Sequence, residues 1–203
     1  MPLLEIVMKF CSDSLEFKPG SSFRYTNSGY LILAAIIENV TNKTYGQALK
    51  ERIFEPLKMD NSGFGPDSIN SKGYWYNKPE PVYKIKNVSG AGGITSTASD
   101  LLKWDEALYT NKLLPIDKIN GLFEPRSEYV DWDAWYGYGW MIDRKLFNQS
   151  KKHTIIYHPG TDFGYYTMFV RQPDNRGLII LLNNSGDFPR FDIADLILNI
   201  INQ

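Results

Sequence analysis

The spacing of apolar residues changes partway along this chain, and that change limits the folds open to it. Leu3, Ile6, Val7 and Phe10 recur every three or four residues, the period of one face of a helix. Lys18-Pro19-Gly20 then stops it. From about Ser28 to Val40 the chain is apolar nearly all round, the pattern of a helix enclosed by other elements. Thr44-Tyr45-Gly46-Gln47 has the spacing of a capping box, and the helix it starts is expected to end near Pro56, whose ring opposes continuation. Residues 61–93 are rich in Gly, Ser, Asn, Pro and Tyr without a sustained period, so loops and one short extended piece are expected there. Thr97-Ala98-Ser99-Asp100 reads as a second capping box, starting a helix that carries Leu101, Trp104 and Leu108 on one face.

Beyond that helix the pattern becomes extended. Residues 138–143, 154–158, 165–171 and 178–183 are rich in aromatic or β-branched side chains and are separated by turn residues, which predicts strands. Gln172-Pro173-Asp174-Asn175-Arg176-Gly177 reads as a hairpin connection, with Pro presetting one torsion and Asn or Gly taking a positive φ. Ile193, Leu196, Ile197, Ile200 and Ile201 form an apolar stripe on a closing helix that is expected to cover a sheet face. Helices first, then antiparallel strands and a terminal helix, predict an α+β fold, with residues 1–135 mainly helix and loop and 136–203 strands and helix of one domain.

Composition narrows the partners. With a formal net charge of -1 and its Lys and Arg dispersed over 203 residues, the chain offers no electrostatic footprint for nucleic acid or an anionic membrane. No apolar run approaches the ~18 residues of a membrane-spanning helix. The first ten residues mix acid and base with apolar side chains and read as no signal peptide, which leaves localisation open. Cys11 is the single cysteine, so no intramolecular disulfide is expected, and its place after an amphipathic helix suits a small core residue.

Two polar clusters carry possible chemistry. In Tyr25-Thr26-Asn27-Ser28, on a loop before the apolar helix, a Tyr hydroxyl can serve as a general base if cations stabilise its phenolate, and Asn27 can hold a substrate amide. The plainer alternative makes Tyr25 a half-buried aromatic and Asn27 or Ser28 the helix cap. In His158-Pro159-Gly160-Thr161-Asp162-Phe163-Gly164, between two strands, His158 can donate a proton or bind a carboxylate. The glycines there permit close approach, and the Thr161 N–H can face a developing oxyanion. The alternative is a hairpin with a hydrogen-bonded histidine. His153 follows two lysines and reads as solvated. Neither histidine has a partner at zinc-ligand spacing, and Ser89-Gly90-Ala91-Gly92-Gly93 lacks the Lys-Ser or Lys-Thr of a phosphate loop, so no metal or cofactor is expected.

Taken in order, these stretches resemble the serine β-lactamase-like superfamily, in the branch of class C β-lactamases, D-alanyl-D-alanine carboxypeptidases and related esterases. Residues 17–30 are similar to that family's F-x-P-G-x-x-F-x-Y-S-N-x-G-Y, and 53–59 to its I-F-x-P-L-G-M, with Lys58 in place of Gly. Residues 90–101 match A-G-G-x-x-S-T-x-x-D-L; Tyr136-Gly137-Tyr138-Gly139-Trp140 and His158-Pro159-Gly160 complete the order. The resemblance implies that Tyr25 shares proton transfer with the nucleophile's lysine and that Asn27 binds the acyl side-chain amide. It also implies that His158 stands where class C β-lactamases have Lys, and that Gly160 and Thr161 line the substrate site, Thr161 giving one oxyanion N–H. The substrate so implied is a D-Ala peptide such as a peptidoglycan-like peptide, an ester or a β-lactam, with His158 shifting the expectation away from efficient β-lactam hydrolysis.

One departure qualifies the activity. No serine in the chain has a lysine three residues on, so the family's S-x-x-K nucleophile is absent from it, and the 203 residues are expected to be inactive alone. They read as a domain lacking its N-terminal strands and nucleophile helix, expected to be poorly soluble alone or to pair with another chain through an exposed sheet edge. The alternative is a non-catalytic remnant that binds a peptidoglycan-like peptide or a partner protein. Family members are often extracytoplasmic or membrane-associated.

Overall fold

The computed structural model describes residues 2–65, 68, 71–81, 88–186 and 188–203. Parts of the expected 61–93 loop region lie outside the described residues. The chain forms two compact units, Met1–Asn70 with Val82–Leu108, and Ser71–Pro81 with Tyr109–Gln203.

In the first unit, helix α1 (Leu3–Phe10) buries Leu3 and Ile6 against Leu31, Ala34 and Ala35 of α2 (Asn27–Thr41), with Val7, Cys11 and Tyr45 packed at the margin. The small Ala34 and Ala35 let the elements packed on α2 come close. Its burial is one-sided, contrary to the all-round expectation. Leu33 and Ile36 are about half exposed, and Val40 is 74% exposed, because among the described residues only one face of α2 is covered. Helix α3 (Tyr45–Leu49) starts at the expected capping box: the Thr44 hydroxyl accepts from the Gln47 N–H, and the Gln47 side chain accepts from the Thr44 N–H.

That helix does not stop before Pro56. One π-helical turn (Lys50–Phe54) leads into α4 (Glu55–Leu57), and the wider i→i+5 spacing carries the chain past the proline. It ends at Lys58, in the left-handed region at φ 56°. The sequence pattern places Gly there, and this torsion supplies the reason: a Cβ in that conformation costs about 1–2 kcal/mol.

Strand β1 (Gly63–Phe64) pairs with β4 (Ile94–Thr95). Helix α5 (Ala98–Ala107) is capped by Thr97, whose hydroxyl accepts from the Asp100 N–H. The Asp100 carboxylate does not complete a capping box. It is fully buried and accepts from the Asn61 N–H at 2.8 Å and the Ser62 hydroxyl at 3.0 Å, and it pairs with Lys103 at 2.8 Å. Burial alone would raise its pKa, but these hydrogen bonds and the Lys103 charge outweigh burial and hold it below the ordinary carboxylate value. The glycine turn before β4 is structural. A Cβ on Gly90 would lie 2.2 Å from the Tyr30 carbonyl oxygen, so that turn rests directly on the α2 backbone.

The second unit is a six-stranded antiparallel sheet in the order β10-β9-β8-β7-β6-β5. Its strands are β5 (Ser127–Tyr129), β6 (Ala134–Tyr136), β7 (Met141–Asp143), β8 (Ile156–Asp162), β9 (Tyr165–Gln172) and β10 (Gly177–Asn183). Extended structure thus begins earlier than the expected 138–143, and that stretch is split. Tyr136-Gly137-Tyr138-Gly139-Trp140 forms the β6–β7 connection, closed by the Gly137 N–H on the Trp140 carbonyl. A Cβ on Gly137 would lie 2.3 Å from the Leu122 carbonyl oxygen. In the β9–β10 connection the positive φ falls on Arg176 at 59°, while the Asn175 side chain accepts from the Gly177 N–H.

Two further elements complete the unit. A short hairpin, β2 (Tyr74–Trp75) and β3 (Lys78–Pro79), is tied to the end of β10: the Tyr74 N–H donates to the Asn184 carbonyl and the Gly186 N–H to the Tyr74 carbonyl. Helix α6 (Ile116–Asn120) buries Ile119. Helix α7 (Arg190–Ile201) packs on β9 and β10, but through Ala194 and Leu198. The expected stripe is out of phase, with Leu196 and Ile200 more than half exposed. Arg171, in the interior of the sheet, is fully buried with its guanidinium on the rings of Tyr109 and Phe123, 4.8 and 4.7 Å from their centroids.

Candidate active site

The two polar clusters occupy one unit each. Lys18-Pro19-Gly20-Ser21 makes a turn in which the Ser21 N–H donates to the Lys18 carbonyl and Gly20 has φ 78°. Tyr25, half-buried, lies with its ring 6.0 Å from that of Tyr30, one helical turn into α2. The helix cap is neither Asn27 nor Ser28. Thr26, extended at φ -145° and ψ 140°, accepts the Gly29 N–H at 3.0 Å. Capping by the central residue of Tyr25-Thr26-Asn27 leaves the Asn27 amide, exposed in the first turn, with no cap to make. Thr and Ser both cap well, so Thr26 preserves the local geometry where the family pattern has Ser.

His158, Pro159, Gly160 and Thr161 lie on β8. The strand pairs with β9 throughout, His158 opposite Phe169 and Thr161 opposite Tyr166, but with β7 only as far as Tyr157. The Asp143 N–H donates to the Ile155 carbonyl, so Ile155 directs its backbone groups toward β7. Alternation along a strand directs those of Tyr157, Pro159 and Thr161 to the same side. Pro159 has no N–H. The Thr161 N–H therefore points past the end of β7, where no described strand pairs with it.

The His158 ring meets Tyr136 edge-on, with 6.4 Å between centroids, and its Nδ1 lies 2.7 Å from the Pro159 carbonyl oxygen. A carbonyl only accepts, so Nδ1 carries the proton and Nε2 keeps its lone pair. Burial pushes the imidazole pKa below its ordinary value, against a smaller upward pull from the Pro159 hydrogen bond. At neutral pH His158 is thus uncharged, suited to accepting a proton rather than to holding a carboxylate by charge.

The glycines of this segment have an internal use. A Cβ on Gly160 would stand 2.4 Å from the Thr167 hydroxyl of β9; one on Gly164, at φ 73°, would stand 2.3 Å from the Tyr74 nitrogen. The segment has one further anchor that sequence reasoning missed. Arg190, at the start of α7, donates to the Gly160 carbonyl and, at 2.8 Å, to the Thr161 hydroxyl, with its guanidinium over Tyr166 and Phe191. Nothing in the Phe188-Pro189-Arg190 sequence signals a contact 29 residues away. His153, expected to be solvated, pairs with Asp174 at 2.8 Å. Among the described residues no three His, Cys, Asp or Glu side chains are grouped to hold a metal ion.

An antiparallel sheet with a His-Pro-Gly strand, helices on capped loops and a Tyr-x-Asn turn fit the β-lactamase and penicillin-binding-protein fold. The chain belongs to the beta-lactamase family, whose sequence pattern matches residues 3–201. It is 29% identical over 204 aligned residues to penicillin-binding protein 4* of Bacillus subtilis, a match that takes in 89% of this chain and 44% of that protein. The chain thus spans less than half the length of this relative. Among solved structures, a penicillin-binding protein from Bacillus halodurans superposes with a TM-score of 0.81 at 23% identity, over 97% of this chain and 62% of that one. A D-amino acid amidase from Ochrobactrum anthropi SV3, complexed with L-phenylalanine amide, gives 0.80 at 22% identity, over 100% and 64%. At these identities the two structures establish the fold.

Proposed function

We propose that these residues are part of an acyl-enzyme serine hydrolase that acts on a D-Ala peptide, an ester or a β-lactam, and that the 203-residue chain alone is inactive. The observation that supports this best is the β8 edge: an N–H at Thr161 directed past the last pairing strand, three residues after a neutral histidine whose Nε2 can accept a proton. An acyl transfer needs a donor aimed at the developing oxyanion and a base near the nucleophile. Tyr25 is assigned to proton transfer with the nucleophile's lysine, Asn27 to the acyl amide, His158 to proton transfer, and Gly160 and Thr161 to binding the substrate along β8. The nucleophile is the missing member, since no serine here has a lysine three residues on.

Fluorescent penicillin and fluorophosphonate test the proposal. The 203-residue chain should take up neither; stoichiometric labelling of it would overturn the inactivity. If the genomic sequence upstream of Met1 holds an in-frame Ser-x-x-Lys, the extended protein should label, and Tyr25→Phe should slow acylation by about 100-fold or more, the scale of a lost general base. The absence of Ser-x-x-Lys from these residues favours one alternative, a non-catalytic remnant that binds a peptidoglycan-like peptide or a partner protein. Extended protein that never labels would favour it.

Self-association is part of the same proposal. Strand β10, seven residues of mainly aliphatic sequence, has no described strand on its outer side. Such an edge offers unpaired backbone groups to a second chain. Sedimentation of the 203-residue chain should show dimers or larger species, and a monodisperse monomer across concentrations would refute this part.

A further inference from the structure

Beside the His158–Thr161 segment, within the second unit, lies an open hollow of about 500 Å³, in the range of small-molecule sites. Among the described residues, two parts of the chain line it. One is the β8–β9 connection, which contributes Thr161, Asp162, Phe163 and Tyr166; the other is the β2–β3 hairpin, which contributes Trp75 and Glu80. The hairpin is held there by close backbone packing and by side-chain hydrogen bonds to its backbone. The Glu80 N–H donates to the Gly73 carbonyl, the Tyr165 hydroxyl to the Ser71 carbonyl, and a Cβ on Gly73 would lie 2.2 Å from the Phe163 carbonyl oxygen.

The same economy of space fixes Trp75. A Cβ on Gly186 would stand 2.4 Å from the indole, so the ring lies against bare backbone, with Tyr76 edge-on at 5.3 Å and Tyr166 at 6.4 Å. The indole is nonetheless 45% exposed, an immobilised aromatic surface facing solvent. Glu80 is partly buried beside it, and its carboxylate makes no hydrogen bond or ion pair to a described residue. Asp162 adds a second carboxylate at the rim. Arg190, at Thr161, is engaged with the Gly160 carbonyl and the Thr161 hydroxyl.

From this hollow we infer a binding subsite for a ligand that carries an ammonium group next to an apolar or aromatic body. The exposed Trp75 indole attracts a cation through its quadrupole and covers the apolar part, and the Glu80 carboxylate, partly withdrawn from water, sets the preferred sign of charge, while the Tyr166 ring already carries the Arg190 guanidinium. Because the hollow adjoins Thr161, the ligand is the amine-bearing end of the substrate. Naming it substrate rests on the acyl-enzyme reading; the binding does not.

The test uses benzylamine, with benzyl alcohol and phenylacetate as neutral and anionic counterparts, titrated into the 203-residue chain. The indole N–H resonance of Trp75, assigned with Trp75→Phe, reports occupancy. Benzylamine should half-saturate at about one-fifth the concentration that benzyl alcohol needs, the scale of one exposed charge contact plus a cation–π contact. Glu80→Gln should reduce that difference, leaving the cation–π part, without lowering the melting temperature, and phenylacetate should bind weakest. Equal binding of the three ligands, tightest binding of phenylacetate, or an unchanged preference in Glu80→Gln would overturn the subsite. Benzylamine selectivity in a protein whose extended form never labels with penicillin would remove the acyl-enzyme reading and keep the subsite; labelling without selectivity would do the reverse.

Discussion

The Tyr25–Asn27 turn and the His158–Thr161 strand are held in place by different physics. The first is local. A proline-glycine turn and one threonine cap, all within a dozen residues, set the backbone, and Asn27 and Thr26 remain exposed. The second is held by its own hairpin, Phe169 to Tyr166 across the ladder with the Thr167 hydroxyl in the space beside Gly160, and by one remote partner, Arg190 from the closing helix. A locally held motif loses little when one partner is removed, because its neighbours are covalently near. A motif that also leans on a remote segment depends on that one contact.

That contrast can be broken by substitution. The largest expected effect is at Arg190→Met, which removes two charge-assisted hydrogen bonds from β8 and should lower stability by about 2 kcal/mol, read by urea unfolding. A loss no greater than that of Thr26→Ala would mean that β8 does not depend on its remote anchor. Gly160→Ala should follow at about 1–2 kcal/mol, since its Cβ must displace Thr167; combining it with Thr167→Ala should recover part of the loss in a double-mutant cycle. Thr26→Ala should cost about 1 kcal/mol and Thr26→Ser far less, the behaviour of a simple cap.

The smallest effect is a slope. His158 has a depressed pKa in the folded chain, so it stays neutral while the unfolded chain begins to take up a proton near the ordinary value of 6.5. Above that value the group contributes no pH dependence. As pH falls below it toward the lower folded pKa, the unfolded state binds more protons and stability declines. Melting curves from pH 7.5 to 5 should therefore show an acid-side decline that is reduced in His158→Gln. An identical decline in both proteins would place the cause elsewhere.

Much of the fold was legible because its signals are local. Thr44 with Gln47 and the Leu3–Phe10 periodicity depend only on residues within a few positions, and each yields its helix, although α1 ends at Phe10, well before the expected stop at Lys18-Pro19-Gly20. The α+β order and the His-Pro-Gly segment followed from pattern and from resemblance to a family. The misreadings share one cause, which is that the outcome depended on what lay opposite. The apolar circumference of α2 does not say which face is covered, and the Ile193–Ile201 stripe does not say that Ala194 and Leu198 meet the sheet.

The sequence by itself determined which residues end helices, where strands alternate and which polar residues stand together, since steric and hydrogen-bonding preferences act over one or two turns of chain. Tertiary structure alone decided the state of those polar residues. Thr26 rather than Asn27 became the cap, burial left His158 neutral, and the short β7 left the Thr161 N–H at an open edge. Arg190 reached β8 because α7 begins beside it. Charge state and hydrogen-bonding direction are set by the distance and dielectric of groups remote in sequence, and only the folded chain brings those groups together.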